Sequence, residues 1–286
     1  MFKSITTFIQ DKYWKLKSAP RCALAQTKNL LNQHHYHLLS ETELKATRIS
    51  DTAFIFGSGY SINNITPAQW RYIAQHNTVS FREFPRQNFI RADYHITGEV
   101  DFLEPYAQHI RENLHYQNTI FIVQKGWSAY MGNNLIGKKL LLPNARIFRF
   151  RRIGRSQYIP PSNSFSTGIV HGFNSSLSVT NFAYLMGWKH IVLAGIDLND
   201  KRYFWLKPDE TRAYEKKGMG ITYQSVFTNA DQIVPLFEYW TKILSEERVQ
   251  LYTLNPKSLL ADVMPIYQIP QEAASTAHQT SPDTNA

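Results

Sequence analysis

The sequence predicts an α/β protein: a single Rossmann-like, largely parallel sheet with helices on both faces, plus a lid segment and an N-terminal helical extension. Three observations carry that expectation. Short, β-rich apolar runs recur along the 286 residues with helical patterns between several of them, and such alternation builds parallel sheets. The first strong run breaks at a glycine bend, "FIFGSGYSI" (54–62), and a later one runs into a second glycine, "IVLAGIDL" (191–198). In open parallel sheets the ligand crevice lies beyond the carboxyl ends of the strands, where these turns fall.

Residues 1–50 read as a basic amphipathic helical extension. Phe2, Ile5, Ile9, Lys12/Tyr13 and Leu16 recur at helical spacing, and Lys3, Lys12, Lys15, Lys17, Arg21 and Lys28 outnumber the lone acid Asp11. Such a helix either lies on an anionic membrane face or packs on the main domain or another subunit. Pro20 is expected to end it, with a second helix from Cys22 to His37.

Residues 51–270 form the main α/β domain. Strands are predicted over Ala53 to Phe56, Thr78 to Phe81, Tyr94 to Thr97, Thr119 to Val123, Arg146 to Phe150, His190 to Ala194 and Val249 to Leu254. Residues 199–230 are long, polar and weakly periodic directly after a strand end, and are expected to be a lid over the site. Residues 271–286 have almost no apolar content and are expected to be disordered.

Composition narrows the function. A formal charge of +9 points to anionic partners: nucleic acid, nucleotide sugars or acidic lipid. No basic-aromatic interleaving matches an RNA-binding signature, so nucleic acid is set aside. The single cysteine, Cys22, excludes a disulfide framework and a cysteine-built zinc site, and a reducing, cytoplasmic setting is expected. No membrane-spanning run is present.

Two constellations carry candidate chemistry. Gly57 and Gly59 let the backbone turn sharply and approach a ligand, with Ser58 and Ser61 offering hydroxyls and amides; the bend lacks the third glycine of a dinucleotide fingerprint and the Gly-Lys-Ser/Thr of a P-loop. A plain strand-to-helix turn explains it equally. Asn174, Ser175 and Ser176 open an apolar helix ending near Gly187, where hydroxyls and free amides either hold a phosphate or cap the helix. Gly195, Ile196 and Asp197 then end the following strand with an acid placed for a ribose or base edge. Upstream, "RIFRFRRIG" with Arg155 supplies basic groups, Arg152 among them, that suit a carboxylate or phosphate on donor or acceptor; a solvated edge strand is the alternative. His171 is the first candidate for a general base, with Asp200 and Glu215 behind it; a buried structural histidine is the competing reading. No D-x-D pattern for a metal on a nucleotide diphosphate occurs, so neither metal nor cofactor is expected.

Gly57 to Ile62, the Asn174-Ser175-Ser176 helix, "GIDL" (195–198) and "LYTLNPKSLLADVMP" (251–265) fall in the order of motifs in bacterial CMP-dependent transferases of acidic ketoses. The chain resembles that family, which includes lipooligosaccharide sialyltransferases and core Kdo transferases, over residues 52–268. The resemblance implies a glycosyltransferase that moves sialic acid or Kdo from its CMP ester to a lipopolysaccharide, lipooligosaccharide or capsule acceptor, with inversion and without metal. A flagellin-type nonulosonic acid transferase and a non-catalytic nucleotide-sugar-binding protein are the alternatives. By resemblance, Ser58 stands where the sialyltransferases have a nucleotide-binding asparagine, and Ser61 and Ser175 match serines near the nucleotide. Tyr203 matches one of two tyrosines that stabilise the departing phosphate, while Asn199, next to Leu198, replaces the other. The catalytic histidine of the sialyltransferase lid has no counterpart in residues 199–230, and "GFNSSLS" stands closer to the core Kdo transferases. A glycolipid or oligosaccharide acceptor, peripheral contact with the inner membrane through residues 1–30, and homo-oligomers complete the expectation.

Overall fold

The computed structural model describes residues 5–98, 102–154, 159–172, 174–200, 202–207, 209 and 230–270, with side chains from residue 19 onward. Arg155, Glu215, most of the 199–230 segment and the 271–286 tail lie outside the described residues.

The helices are α1 (Ile5–Asn32), α2 (Glu41–Lys45), α3 (Pro67–Ile73), α4 (Leu103–Glu112), α5 (Tyr130–Gly137), α6 (Ser175–Met186) and α7 (Ala230–Glu246). The strands are β1 (His37–Leu38), β2 (Thr52–Phe56), β3 (Asn77–Phe81), β4 (Tyr94–Thr97), β5 (Ile120–Gln124), β6 (Arg146–Phe150), β7 (Arg152–Ile153), β8 (Ile169–Val170), β9 (His190–Ala194) and β10 (Gln250–Thr253). Eight of them form one sheet in the order β1-β6-β5-β4-β3-β2-β9-β10, with every pair parallel; β7 and β8 form a separate two-stranded ribbon.

Parallel strands buried on both faces read as continuous apolar runs, and alternate residues of these runs build two cores. Ala53, Ile55, Val79, Ile96, Ile122 and Leu193 join the core under α6 and α7. Phe54, Phe56, Val192 and Ala194 point the other way with Ile73 of α3, and Phe121, Val123 and Ile147 pack there with α4 and α5. The result is the doubly wound sheet predicted, with all seven expected strands present. From β2 the chain winds outward through β3 to β6, then crosses to β9 and β10 on the other side. The switch point is therefore the gap between β2 and β9, and a crevice opens there at the carboxyl edge.

Residues 5–50 depart from the sequence reading. Pro20 does not end a helix; α1 runs through it to Asn32. An interior proline removes a backbone hydrogen bond and crowds the preceding turn, so tertiary contact must compensate. Cys22, Ala25 and Asn29 are buried, and at Gly137 the backbones of α1 and α5 touch: a Cβ there would lie 2.8 Å from the Asn29 nitrogen. Asn29 donates to Asn133 (3.1 Å), Asn32 to the Gly137 carbonyl (2.9 Å), and Arg149 of β6 to Asn29 (3.0 Å). The predicted second helix stops early, and His37–Leu38 pairs with Arg146 and Ile147 as the edge strand of the main sheet. Two residues carry too little pattern to announce a strand.

Candidate functional site at the carboxyl edge of the sheet

Parallel strands bring all their carboxyl ends to one edge, and both predicted constellations lie on it. The glycine bend follows β2, and the Gly195–Leu198 turn follows the neighbouring β9. Gly57 donates to the Ala194 carbonyl and Gly59 to that of Gly195, each at 2.8 Å. A Cβ on Gly57 would collide with the Gly195 carbonyl, and one on Gly59 with the Asp197 carboxylate. Gly195 itself adopts φ +66, a backbone that side chains rarely tolerate. The three glycines thus serve close packing of two strand ends.

Asp197 is the hub of this corner. It is only 4% exposed. Its carboxylate accepts from the Ser61 amide (3.0 Å), the Ser61 hydroxyl (2.5 Å) and Asn255 Nδ2 (2.8 Å). A buried carboxylate needs such donors, and this one finds three inside the chain. Asp197 cross-links the bend to the "NPKSLL" segment. Ser258 adds a bond to the Ile196 carbonyl (2.7 Å), and the Leu259 amide donates to the Asp197 carbonyl (3.3 Å). Two motifs separated by over fifty residues of sequence are one structural unit.

The start of the predicted lid lies on the bend. Gly59 and Tyr203 form an antiparallel bridge, and the Phe204 amide donates to the Ser58 carbonyl (3.1 Å). Tyr203 is half-buried and stacks on Trp205 with ring centroids 4.4 Å apart. Asp200 is not a free base, because the Arg202 fork holds both of its oxygens at 3.0 and 2.7 Å while the guanidinium lies 3.8 Å over the Tyr60 ring. Leu198 is buried at φ +59 and Asn199 is exposed beside it.

The second corner lies where β3, β4 and α6 meet. Asn174 is the N-cap of α6: its Oδ1 accepts from the Leu177 amide (3.2 Å) and from the Ser176 hydroxyl (2.6 Å). Ser176 is buried. Asn174 and Ser176 together cap the helix. Ser175 differs. Its Oγ lies 3.6 Å from where a Cβ of Gly98 would stand, at the end of β4, and it has no hydrogen-bond partner among the described residues. His171 follows β8 and binds the Ser178 hydroxyl through Nδ1 at 2.9 Å, against the first turns of α6. Arg152 is half-buried in β7, the ribbon strand that continues from β6.

The sequence reading passed over Arg82. It ends β3, between the two corners, at φ +53. Its Cγ is also 3.6 Å from the Gly98 Cβ position, so it shares a wall with Ser175. Half-buried, the guanidinium makes no hydrogen bond or ion pair with the described residues. Its left-handed backbone is a conformation that side chains rarely adopt. The only sequence signal was a basic residue directly after a predicted strand.

Two cavities open along this edge. One of about 550 Å³ opens at the ends of β9 and β10 and is lined by Ser61, Asn64, Gln69, Gly195, Asn255 and Lys257, among others. The other, about 220 Å³, lies at the ends of β4 and β5 and includes Thr97, Gly98, Gln124, Ser128 and Tyr130. Strand spacing puts the glycine bend and the Ser175 corner about 10 Å apart, with β3 between them. The two corners face one edge.

No protein-family model and no curated protein matches the chain. Solved structures do. The MAf glycosyltransferase from Magnetospirillum magneticum AMB-1 is 15% identical with a TM-score of 0.51, over 92% of this chain and 40% of that one. The monofunctional alpha-2,3-sialyltransferase Cst-I from Campylobacter jejuni is 15% identical with a TM-score of 0.46, covering 80% of this chain and 82% of that one. The sialyltransferase CstII from Campylobacter jejuni, in complex with the substrate analogue CMP-3FNeuAc, is 13% identical with a TM-score of 0.46, covering 76% and 86%. At these identities the likeness is one of fold, and the chain shares the α/β fold of the Magnetospirillum glycosyltransferase while spanning less than half of that protein's length.

Proposed function

We propose that the chain is a CMP-sugar-dependent glycosyltransferase that passes an acidic ketose, of the sialic acid or Kdo type, to a lipopolysaccharide, lipooligosaccharide or capsule acceptor. The observation that carries this reading is the carboxyl-edge crevice at the β2–β9 switch point, with two cavities along that edge and with Arg82 and Ser175, which make no hydrogen bond or ion pair among the described residues, on its wall near Gly98. The sequence motifs and the fold shared with a glycosyltransferase support it.

In this reading the larger cavity takes the cytidine side of the donor and the smaller one the sugar and acceptor side. Arg82 and Ser175 hold the donor's anionic groups, with Arg152 further out. As the glycosidic bond to CMP breaks, negative charge grows on the phosphate, and donors already in place stabilise it without solvent reorganisation. The Tyr203 hydroxyl and Arg82 are those donors. The acceptor hydroxyl attacks the anomeric carbon from the opposite face, which inverts it, and a base takes the hydroxyl proton. His171 is the candidate base, its ring oriented by Ser178. No metal enters this scheme.

A CMP-release assay over CMP-Kdo, CMP-sialic acid and CMP-nonulosonic acids of the flagellar kind tests the proposal. One donor should raise the melting temperature and release CMP on adding acceptor. No stabilisation by any CMP sugar would sink it. A second reading, a nucleotide-sugar-binding protein without catalysis, is favoured by the Asp200–Arg202 clamp and by the absence of a histidine from residues 199–230 in sequence. Donor binding without turnover across the acceptor panel would select it.

A further inference from the structure

The orientation of α1 is decided twice. Its carboxyl end leads through residues 33–35 into β1, which begins beside Arg146 at the amino edge of the sheet. It also runs side by side with α5, which itself returns from the carboxyl edge to the amino edge after β5. The amino-terminal end of α1 therefore points toward the carboxyl edge. Gly137, the last residue of α5, lies against Lys28 and Asn29, so the start of α5 at Tyr130 is level with about Arg21. From Ile5 to Arg21 the helix runs roughly 25 Å further, at 1.5 Å per residue, past the side of the candidate site that holds the smaller cavity.

At 100° per residue, Cys22, Ala25 and Asn29 fall in one arc of about 60°, and this arc is buried. Leu24, Thr27 and Leu31 fall in the opposite arc. They are exposed, Leu24 by 58% and Leu31 by 66%. In sequence the period of that outer row continues through Ile5, Ile9, Tyr13 and Leu16, and Lys12, Lys17, Arg21 and Lys28 border it, with Asp11 the single acid of the stretch. Among the described residues no helix is long and apolar enough to cross a membrane. An apolar row with dense positive charge suits the headgroup layer of an anionic bilayer, where lysines reach the phosphates and the row enters the acyl boundary. The same cations disfavour pairing with a second copy of the helix, because like charges would meet across it.

We propose that the outward face of α1 docks in the plane of an anionic lipid surface and holds the sugar-and-acceptor side of the crevice next to it, so that the acceptor comes from the membrane. This deepens the transferase reading and rests on it for the acceptor alone.

The test uses the full chain in a Cys22→Ala background with a polarity-sensitive dye on either Thr27→Cys, in the outer row, or Ser245→Cys, at the end of α7. Vesicles of phosphatidylglycerol in phosphatidylcholine should shift the emission of the first label to the blue and leave the second unmoved. Lys12→Gln/Lys17→Gln should weaken partitioning about 25-fold, from roughly fivefold per cation, with an unchanged melting curve. Absence of partitioning, a shift at Ser245→Cys alone, or a shift at Thr27→Cys without vesicles together with a doubled mass would overturn the proposal. CMP-sugar binding measured on the same variants separates the two ideas. Intact donor binding with no vesicle binding rejects the docking face and spares the transferase; vesicle binding without donor binding does the reverse.

Discussion

At the β2–β9 corner the polar groups predicted to meet a ligand are engaged by the fold. Asp197 takes three hydrogen bonds from Ser61 and Asn255, and the amides of Gly57 and Gly59 bind carbonyls across the gap. At the β3–β4–α6 corner two groups have no hydrogen-bond or ion-pair partner among the described residues: Arg82 on a left-handed backbone and Ser175 in the first turn of α6. One corner is a joint and the other an open grip. A joint pre-organises the backbone so that the grip keeps its shape, and substitutions should tell the two apart: changes in the joint reach stability first, while changes in the grip reach ligand affinity alone.

The largest effect is expected from Gly59→Ala. The added methyl collides with the Asp197 carboxylate, and separating β2 from β9 should cost about 3 kcal/mol, as overpacking of a tight site does. Thermal melting checks it; a variant as stable as the parent would mean that the corner yields freely. Asp197→Asn should follow at about 2 kcal/mol, because an amide cannot accept from all three donors and leaves one buried and unsatisfied. Denaturant midpoints with an unchanged slope would measure this.

Arg82→Gln should reverse the pattern. Donor affinity should fall by about 2 kcal/mol, the range of a charge-assisted hydrogen bond, while the melting temperature holds. Calorimetric titration with a CMP sugar reads the loss, and a large loss of stability instead would put Arg82 among the structural residues. Tyr203→Phe should lower turnover roughly tenfold, about 1.4 kcal/mol, with a smaller change in donor affinity, since its bond strengthens as charge develops; equal losses would show that the ring only packs. Smallest is Ser175→Ala, with about 1 kcal/mol of donor affinity lost and no change in stability. Asn174→Ala is its foil, because loss of the α6 cap should lower stability by a similar amount.

A separate check lies behind the grip. His95 of β4 is buried between the Ser80 and Tyr106 hydroxyls, and burial holds its pKa down at about 3. The unfolded chain takes up this proton near pH 6.5 and the folded chain does not, so stability is full above pH 6.5 and falls as the pH drops toward 3. His95→Gln should flatten that part of the pH–stability curve.

How much of this was legible from the residues varies by scale. All seven strands of the central pattern could be read, three of them to the residue, because strands buried on both faces need unbroken apolar runs. The edge strand His37–Leu38 could not, and neither could the passage of α1 through Pro20, since both depend on partners more than a hundred residues away. Within the site, the glycines were legible as close-approach positions but their partner was not. Asn174 and Ser176 met the rule for an anion site and the rule for a cap equally, and only coordinates show which atoms turn inward. Asp200 looked free until Arg202, two residues on, was seen to fold back on it.

The layered α/β architecture, the sheet edge that carries the candidate motifs and the excess of positive charge are all readable from the order of residues alone. These follow from local periodicity and composition, which are summed over neighbours in the chain. Which polar groups are consumed by the fold depends on contacts that form only when distant segments meet. Hydrogen-bond satisfaction is settled between residues distant in sequence, so Asp197 became a cross-link while Arg82, one basic residue among thirty-one, makes no hydrogen bond or ion pair among the described residues.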